Sequence, residues 1–201
     1  MKAEARKEDR RVRKTRQQIE QTLADLMLEK PVQEITVMEL TERADINRGT
    51  FYLHYRDIYD LLSEMETSLL DELQETLNRQ SIEDLKKDPS LKFVDMFRFL
   101  AEHRQLSYIV LNSYSEQSFL EAAKEALQES AFVTLTALYG PGRQDLYDQF
   151  FTFGISGSIG LAQKWLQSGC QESPEEMGRM CNDFLELGRS VLRKDRIAET
   201  I

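Results

Sequence analysis

The residues with chemistry to offer lie between 36 and 59, T-V-M-E-L-T-E-R-A-D-I-N-R-G-T-F-Y-L-H-Y-R-D-I-Y. Arg48 can donate a bidentate pair to guanine. Thr50 can touch a thymine methyl or bond a base or phosphate, and Tyr52 and His54 can donate to phosphate. Gly49 adds no side chain and lets a backbone approach closely. Phe51 and Tyr55 stand four apart and share the other face of a helix. One apolar face and one basic, hydrogen-bonding face suit a short helix to the DNA major groove. A plain aromatic core helix is the competing reading of residues 50–55.

Catalytic readings find little. The two histidines, His54 and His103, have no metal-ligand spacing, and Cys170 and Cys181 are too few for a disulfide framework or a four-ligand zinc site. Ser156-Gly157-Ser158-Ile159-Gly160 lacks the first glycine and the preceding strand of a nucleophile elbow. Gly154, Gly157 and Gly160 follow no strand and lack dinucleotide-binding spacing. No enzyme, metal or cofactor is expected.

The elements that must position these residues all read as helices, with no alternating run to support a strand. The first is expected over Val12–Glu29, with Ile19, Leu23, Leu26 and Met27 as its apolar stripe, and Pro31 ends it. Thr36-Val37-Met38-Glu39 is a capping box in which Thr36 caps and Glu39 reaches back. Val37, Leu40 and Ala44 give that helix a buried face. Asp45-Ile46-Asn47 breaks it, and Asn47 suits the N-cap of a helix over Arg48–His54. A fourth helix runs from about Asp57 to Arg79. Further helices are expected at 90–102, 104–113, 116–138, 143–168 and 174–194. Gly140-Pro141-Gly142 marks a turn, and Ser173-Pro174-Glu175-Glu176 a second capping box.

Composition bounds the partners. The chain has 201 residues, 41% of them hydrophobic and 30% charged, which is globular. Its net charge is −9, but residues 1–60 are neutral and the remainder carries the whole excess. Residues 1–16 alone hold eight basic side chains against three acidic ones, which points to an anionic partner there or to a solvated tail. The first sixteen residues are mostly charged, unlike a signal peptide. The longest uncharged stretch, 149–163, is shorter than the roughly 20 residues that span a bilayer. A cytoplasmic protein with reduced thiols and no membrane partner is expected. A membrane-surface role for the basic arm lacks the amphipathic cationic helix it needs.

Residues 12–70 resemble the N-terminal DNA-binding module of TetR/AcrR-family transcriptional regulators. The likeness rests on R-x-R-K-T-R-Q-x-I at 11–19, on I-T-V-x-E-L-x-x-R-A-x-I-N-R-G-T-F-Y-x-H-Y at 35–55 and on D-x-Y-D-L-L at 57–62. The stretch F-G-I-S-G-S-I-G-L-A-Q-K-W-L-Q-S-G, followed by S-P-E-E-M, resembles the C-terminal region of one bacterial subgroup. The resemblance implies an all-α fold of about nine helices. A helix-turn-helix head over 1–58 would carry the basic arm, and an effector-binding and dimerisation domain would span 59–201. It implies that Thr36 and Val37 lie near a phosphate. Arg48, Gly49, Thr50, Tyr52 and Leu53 would face the groove, and His54 would lie along the backbone. Many members carry a phosphate-binding Lys where this chain has Ile58, and Arg56 is the candidate substitute. Arg10, Arg11, Arg13, Lys14 and Arg16 are further candidates for phosphate or minor-groove contact.

One short recognition helix reads only a few base pairs, so a homodimer on a palindromic operator is expected. The last two helices would form its interface through Phe153, Gly154, Gly157, Gly160, Leu161, Trp165, Phe184 and Leu187, unless the glycines serve a helix crossing within one chain. The middle helices would house a pocket for a small-molecule effector, lined by Phe93, Phe97, Leu100, His103, Tyr108, Tyr114 and Phe119, each of which also fits a simple core. His103, beside Arg104, also suits a surface or helix-end position. The acidic body favours a cationic or neutral effector. That effector would select a dimer whose recognition helices are wrongly spaced, with the fourth helix as lever. The function is thus read as a repressor released by its effector. The alternative is a dimeric helical ligand- or partner-binding protein that has lost its DNA affinity.

Overall fold

The structure, a computed structural model, describes residues 2–112, 117–140 and 144–198. Ten α-helices and one 3-10 turn account for nearly all of them, and the described residues contain no strand. They form two compact units, one up to Leu69 and one from Leu70. The expected division at 58/59 corresponds to the start of the fourth helix, eleven residues earlier.

The first unit holds α1 (Lys2–Glu29), the 3-10 turn Val32–Glu34, α2 (Val37–Arg43), α3 (Arg48–Tyr52) and the first part of α4 (Ile58–Leu77). Helix α1 begins ten residues before the expected Val12. Residues 2–11, K-A-E-A-R-K-E-D-R-R, contain no Gly or Pro and are rich in strong helix formers, so nothing stops the helix there. The basic arm is therefore helical. The core of this unit joins Ile19, Leu23 and Leu26 of α1 to Leu40, Phe51, Tyr55, Ile58, Leu61 and Leu62. Burying each large apolar side chain contributes about 1.5–3 kcal/mol.

The second unit holds the rest of α4, then α5 (Ile82–Lys87), α6 (Leu91–Glu102), α7 (Arg104–Asn112), α8 (Gln117–Tyr139), α9 (Gln144–Gln167) and α10 (Pro174–Ala198). Helix α5 is the one that sequence reading missed. Its signal is a cap: Ser81 Oγ accepts from Asp84 N at 3.2 Å and donates to Asp84 Oδ2 at 2.6 Å. The box at Ser173 forms in both directions, since Glu176 Oε2 accepts from Ser173 N at 2.8 Å and Ser173 Oγ accepts from Glu176 N at 3.2 Å. Helix α10 lies along α6. A Cβ on Gly178 would come within 2.5 Å of Val94 N, so only glycine permits that approach.

Candidate nucleic-acid interface and effector region

Helix α2 starts as its sequence demands: Thr36 Oγ1 accepts from Glu39 N at 3.2 Å. The expected return bond is replaced, because Glu39 Oε2 accepts from Lys30 Nζ at 2.6 Å. That ion pair, with Arg43 held by both oxygens of Glu29 at 2.5 and 2.8 Å, ties α2 to the end of α1. Gln18 Nε2 of α1 donates to the carbonyl of Ala44 at 2.6 Å. Gln18 is thus a positioning residue for the turn that sequence reading missed, since nothing local marks it.

The turn itself is a Schellman motif. Ile46 N bonds Thr41 O at 3.0 Å, Asp45 N bonds Glu42 O at 3.2 Å, and Asp45 sits at φ 49°. Glycine is the usual residue there, because a side chain in the left-handed region is strained. Asp45→Gly is expected to stabilise the head by about 0.5–1 kcal/mol, raising its melting temperature by roughly 3–6 °C. A thermal melt of the variant checks this, and a lower midpoint would refute the strain.

Helix α3 is capped by Asn47 Oδ1, which accepts from Gly49 N at 2.8 Å. It ends at Tyr52, two residues before the expected His54, with Leu53 as its C-cap. A Cβ on Gly49 would meet the capping oxygen at 3.3 Å, a second reason for glycine besides close backbone approach. Phe51 is wholly buried and Tyr55 nearly so, whereas Arg48, Gly49, Tyr52 and Leu53 are exposed and Thr50 and His54 half-buried. Leu53, 81% exposed, is the barest large apolar residue of this face. The helix therefore has the two faces its sequence indicates. Thr36, the N-cap of α2, is exposed, and Val37 beside it is half-buried with its side chain packed against the core.

Tyr55 is more than packing. Its hydroxyl donates to Glu20 Oε1 at 3.0 Å and accepts from Arg16 Nε at 3.2 Å. Burial, helped by the Glu20 carboxylate, pushes that hydroxyl up to about 12. Arg16 also pairs with Glu64. It therefore has a structural role in the head, beside the phosphate contact expected of it. Ile58 is buried in the core, so its side chain does not stand where a phosphate-binding Lys is expected. Arg56 is exposed, yet Asp60 Oδ1 accepts from its Nε at 3.0 Å and its Nη2 at 2.5 Å. The guanidinium holds the Asp60 carboxyl below its usual range. Only the Arg56 side of this pair is exposed, because the Asp60 side chain is largely buried and also accepts from Arg56 N at 2.9 Å. Arg11, Arg13, Lys14 and Arg48 are exposed and carry no ion pair among the described residues.

The other expected sites divide. Phe97 and Leu100 are buried, and Phe97 meets Trp165 edge-on at 5.2 Å. Trp165 is 2% exposed and donates Nε1 to Glu172 O at 3.0 Å. Both belong to the core of one chain, which corrects Trp165 as an interface residue. Gly154 is likewise internal, since its Cβ would meet Leu185 Cδ2 at 3.0 Å. Gly157 and Gly160 would meet nothing within 4 Å, Leu161 is half-buried, and Phe153 and Phe184 are exposed. His103 Nε2 lies 3.0 Å from Glu72 Oε2, and its ring tilts against Phe99 at 4.8 Å. Phe93 is half-buried, Tyr108 exposed and Phe119 buried. Tyr114 and the side chain of Leu187 lie outside the described residues. A cavity of about 290 Å³ opens among α4, α5, α6 and α8, and none of the described effector candidates lines it. Among the described residues no cluster of His, Cys, Asp and Glu is arranged for a metal, and no helix is long and apolar enough to cross a membrane.

An all-helical chain with a capped helix-turn-helix head is the class these features define. The family model for a TetR-type transcriptional regulator C-terminal region matches residues 87–187, and the chain belongs to the TetR family of transcriptional regulators. It is 26% identical over 176 residues to the uncharacterized HTH-type transcriptional regulator YxbF of Bacillus subtilis. That match covers 81% of this chain and 42% of YxbF, so the chain spans about two fifths of that relative's length. Solved structures share the fold. A TetR regulator from Streptococcus agalactiae has a TM-score of 0.63 at 22% identity, covering 90% of this chain and 98% of that one. FadR from Bacillus subtilis, in complex with stearoyl-CoA, has 0.61 at 16%, covering 84% and 96%. NalD, the secondary repressor of an efflux pump in Pseudomonas aeruginosa, has 0.60 at 19%, covering 88% and 97%.

Proposed function

We propose that this transcriptional regulator binds a palindromic operator as a homodimer, represses from it, and leaves it when a small molecule occupies the second unit. The observation that carries the reading is the face of α3. Arg48, Thr50, Tyr52 and Leu53 stand outward over a buried Phe51, and Arg11, Arg13 and Lys14 add exposed charge that no described carboxylate neutralises. Arg48 would read bases, and the three arm cations would hold phosphates. Two copies would place their α3 helices in successive major grooves about 34–36 Å apart.

A second copy has a surface to meet. Phe153 and Phe184 are 72% and 60% exposed, and Gly157 and Gly160 leave room beside α9. Among fold neighbours, FadR is solved with an acyl-CoA and NalD is a repressor, which supports effector release as the mode of control. The division at 58/59 and a cytoplasmic site of action go with this reading. A dimeric helical ligand- or partner-binding protein that has lost its DNA affinity is the second reading, favoured by the burial of Ile58 and the Arg56–Asp60 pair.

The test is a titration across salt concentrations, with DNA from beside the chain's own gene and an unrelated duplex of equal length. Three phosphates per head, about six per dimer, give an expected log–log salt slope near −5. Arg48→Ala should cost about 1–3 kcal/mol and relax sequence preference, while Arg13→Ala and Lys14→Ala should weaken both duplexes alike. Equal, weak binding to both duplexes would overturn the neighbouring operator, and no binding at low salt would establish the second reading.

A further inference from the structure

The cavity among α4, α5, α6 and α8 is lined by a cation that has no described anionic partner. Lys92 stands half-buried in the first turn of α6, where the helix dipole disfavours positive charge and favours an anion. Its Nζ donates to Ser130 O at 3.2 Å and to Thr134 Oγ1 at 2.6 Å, both neutral acceptors. No described carboxylate pairs with it. On its own helix, Asp95 is occupied by Gln80 Nε2 at 2.7 Å and Arg98 Nη1 at 3.4 Å. The lining contributed by α4 and α5 has no titratable group, and α8 contributes Glu129, which is exposed. Leu77, Ile82, Leu85 and Val133 supply apolar walls. The volume, about 290 Å³, lies at the lower end of ligand-binding pockets, about 300–1,000 Å³.

We propose that this cavity binds a small organic monoanion, a carboxylate on a compact apolar body, anchored by Lys92 Nζ. An ammonium taken out of water and given only neutral acceptors gains most from a carboxylate, and charge-assisted bonds are the strong ones. Glu129 on the same lining disfavours a second negative charge on the ligand. The local charge thus reverses the cationic or neutral preference drawn from the acidic body. As the effector site, the cavity rests on the regulator reading, but its occupancy can be measured without DNA. Burial lowers the Lys92 amine to about 8. A bound carboxylate favours the charged form, so affinity should be flat below about pH 8 and fall above it.

The experiment titrates the full chain calorimetrically with sodium hexanoate, hexanamide and hexylammonium chloride at pH 7. Hexanoate should bind saturably and about tenfold or more tighter than hexanamide. Lys92→Gln should abolish that preference, and raising the pH to 9.5 should weaken hexanoate by roughly tenfold. An unpaired, half-buried charge is being removed, so Lys92→Met should fold at least as stably as the parent. In the parent protein, the NMR titration midpoint of the Lys92 amine should rise with hexanoate, independently of any variant. Hexanamide or hexylammonium binding as tightly, no saturable hexanoate binding, or a preference that survives Lys92→Gln would overturn the site. DNA titration of the same preparations separates the two proposals. Intact operator affinity without anion binding overturns the site alone, and anion binding without operator affinity overturns the regulator reading alone.

Discussion

Gly178→Ala is expected to lower the melting temperature of the second unit by roughly 5–10 °C. The added methyl would lie 2.5 Å from Val94 N, 2.6 Å from Val94 Cα and 2.7 Å from Val94 Cγ2. Two of those atoms are backbone, so no rotamer change relieves the clash and α10 must move off α6. Overpacking costs typically about 1–3 kcal/mol, with the upper end appropriate to a backbone clash. Alanine returns about 1 kcal/mol of helix propensity, which leaves a net loss near 2 kcal/mol. Gly157→Ala is the control. Its methyl would meet nothing within 4 Å of its own chain, so propensity alone should act and stabilise the isolated protomer. If a second copy packs on Gly157, the same change weakens dimerisation while leaving the protomer stable. Thermal melts with sedimentation of both variants check this. Equal melting of Gly178→Ala and the parent would show that α10 does not depend on the close approach.

Sequence reading recovered what local rules control. The caps at Thr36, Asn47 and Ser173 are patterns within three residues, and the stripe Ile19, Leu23, Leu26 repeats at helical spacing. The two faces of α3 follow from one turn of helix geometry, so Phe51 and Tyr55 were legible as core. The missed features are of two kinds. Some were local but small: Ser81 and Asp84 cap a six-residue helix whose last turn is the Lys86-Lys87 of a charged Lys-Lys-Asp-Pro stretch that reads as a break. Others rest on partners far along the chain. Glu39 had two competing acceptor roles, and the choice of Lys30 depends on where the end of α1 arrives. Arg16 read only as an arm cation, because the hydroxyl that it meets belongs to Tyr55, 39 residues away. Lys92 acquires meaning only through Ser130 and Thr134, 38 and 42 residues on. The glycines show the same limit. Spacing drew attention to Gly154, Gly157 and Gly160, while the closest packing belongs to Gly178, which has no pattern around it.

Two adjacent aromatic residues should behave in opposite ways, and the contrast tests how the head works. Phe51 is 0% exposed, with Tyr52 edge-on at 5.5 Å and Tyr55 at 5.7 Å. Truncating a buried phenylalanine costs about 3–5 kcal/mol. Small domains have total stabilities near the low end of about 5–15 kcal/mol, so the loss takes most of what the head has. Phe51→Ala is therefore expected to unfold the first unit near room temperature and abolish DNA binding at every salt concentration. The second unit has its own core around Phe97 and Trp165 and should keep its helicity. Tyr52 is 58% exposed, so Tyr52→Ala should shift stability by about 0.5 kcal/mol or less. On the groove face it should still weaken operator binding by roughly tenfold, because removing a side chain that touches DNA costs about 1–3 kcal/mol. Circular dichroism melts paired with DNA titrations separate the two roles: Phe51→Ala loses fold and binding together, Tyr52→Ala binding alone. Phe51→Leu keeps most of the apolar volume and should restore both. If Tyr52→Ala unfolds the head as Phe51→Ala does, the outward face of α3 is structural and the groove-reading assignment falls.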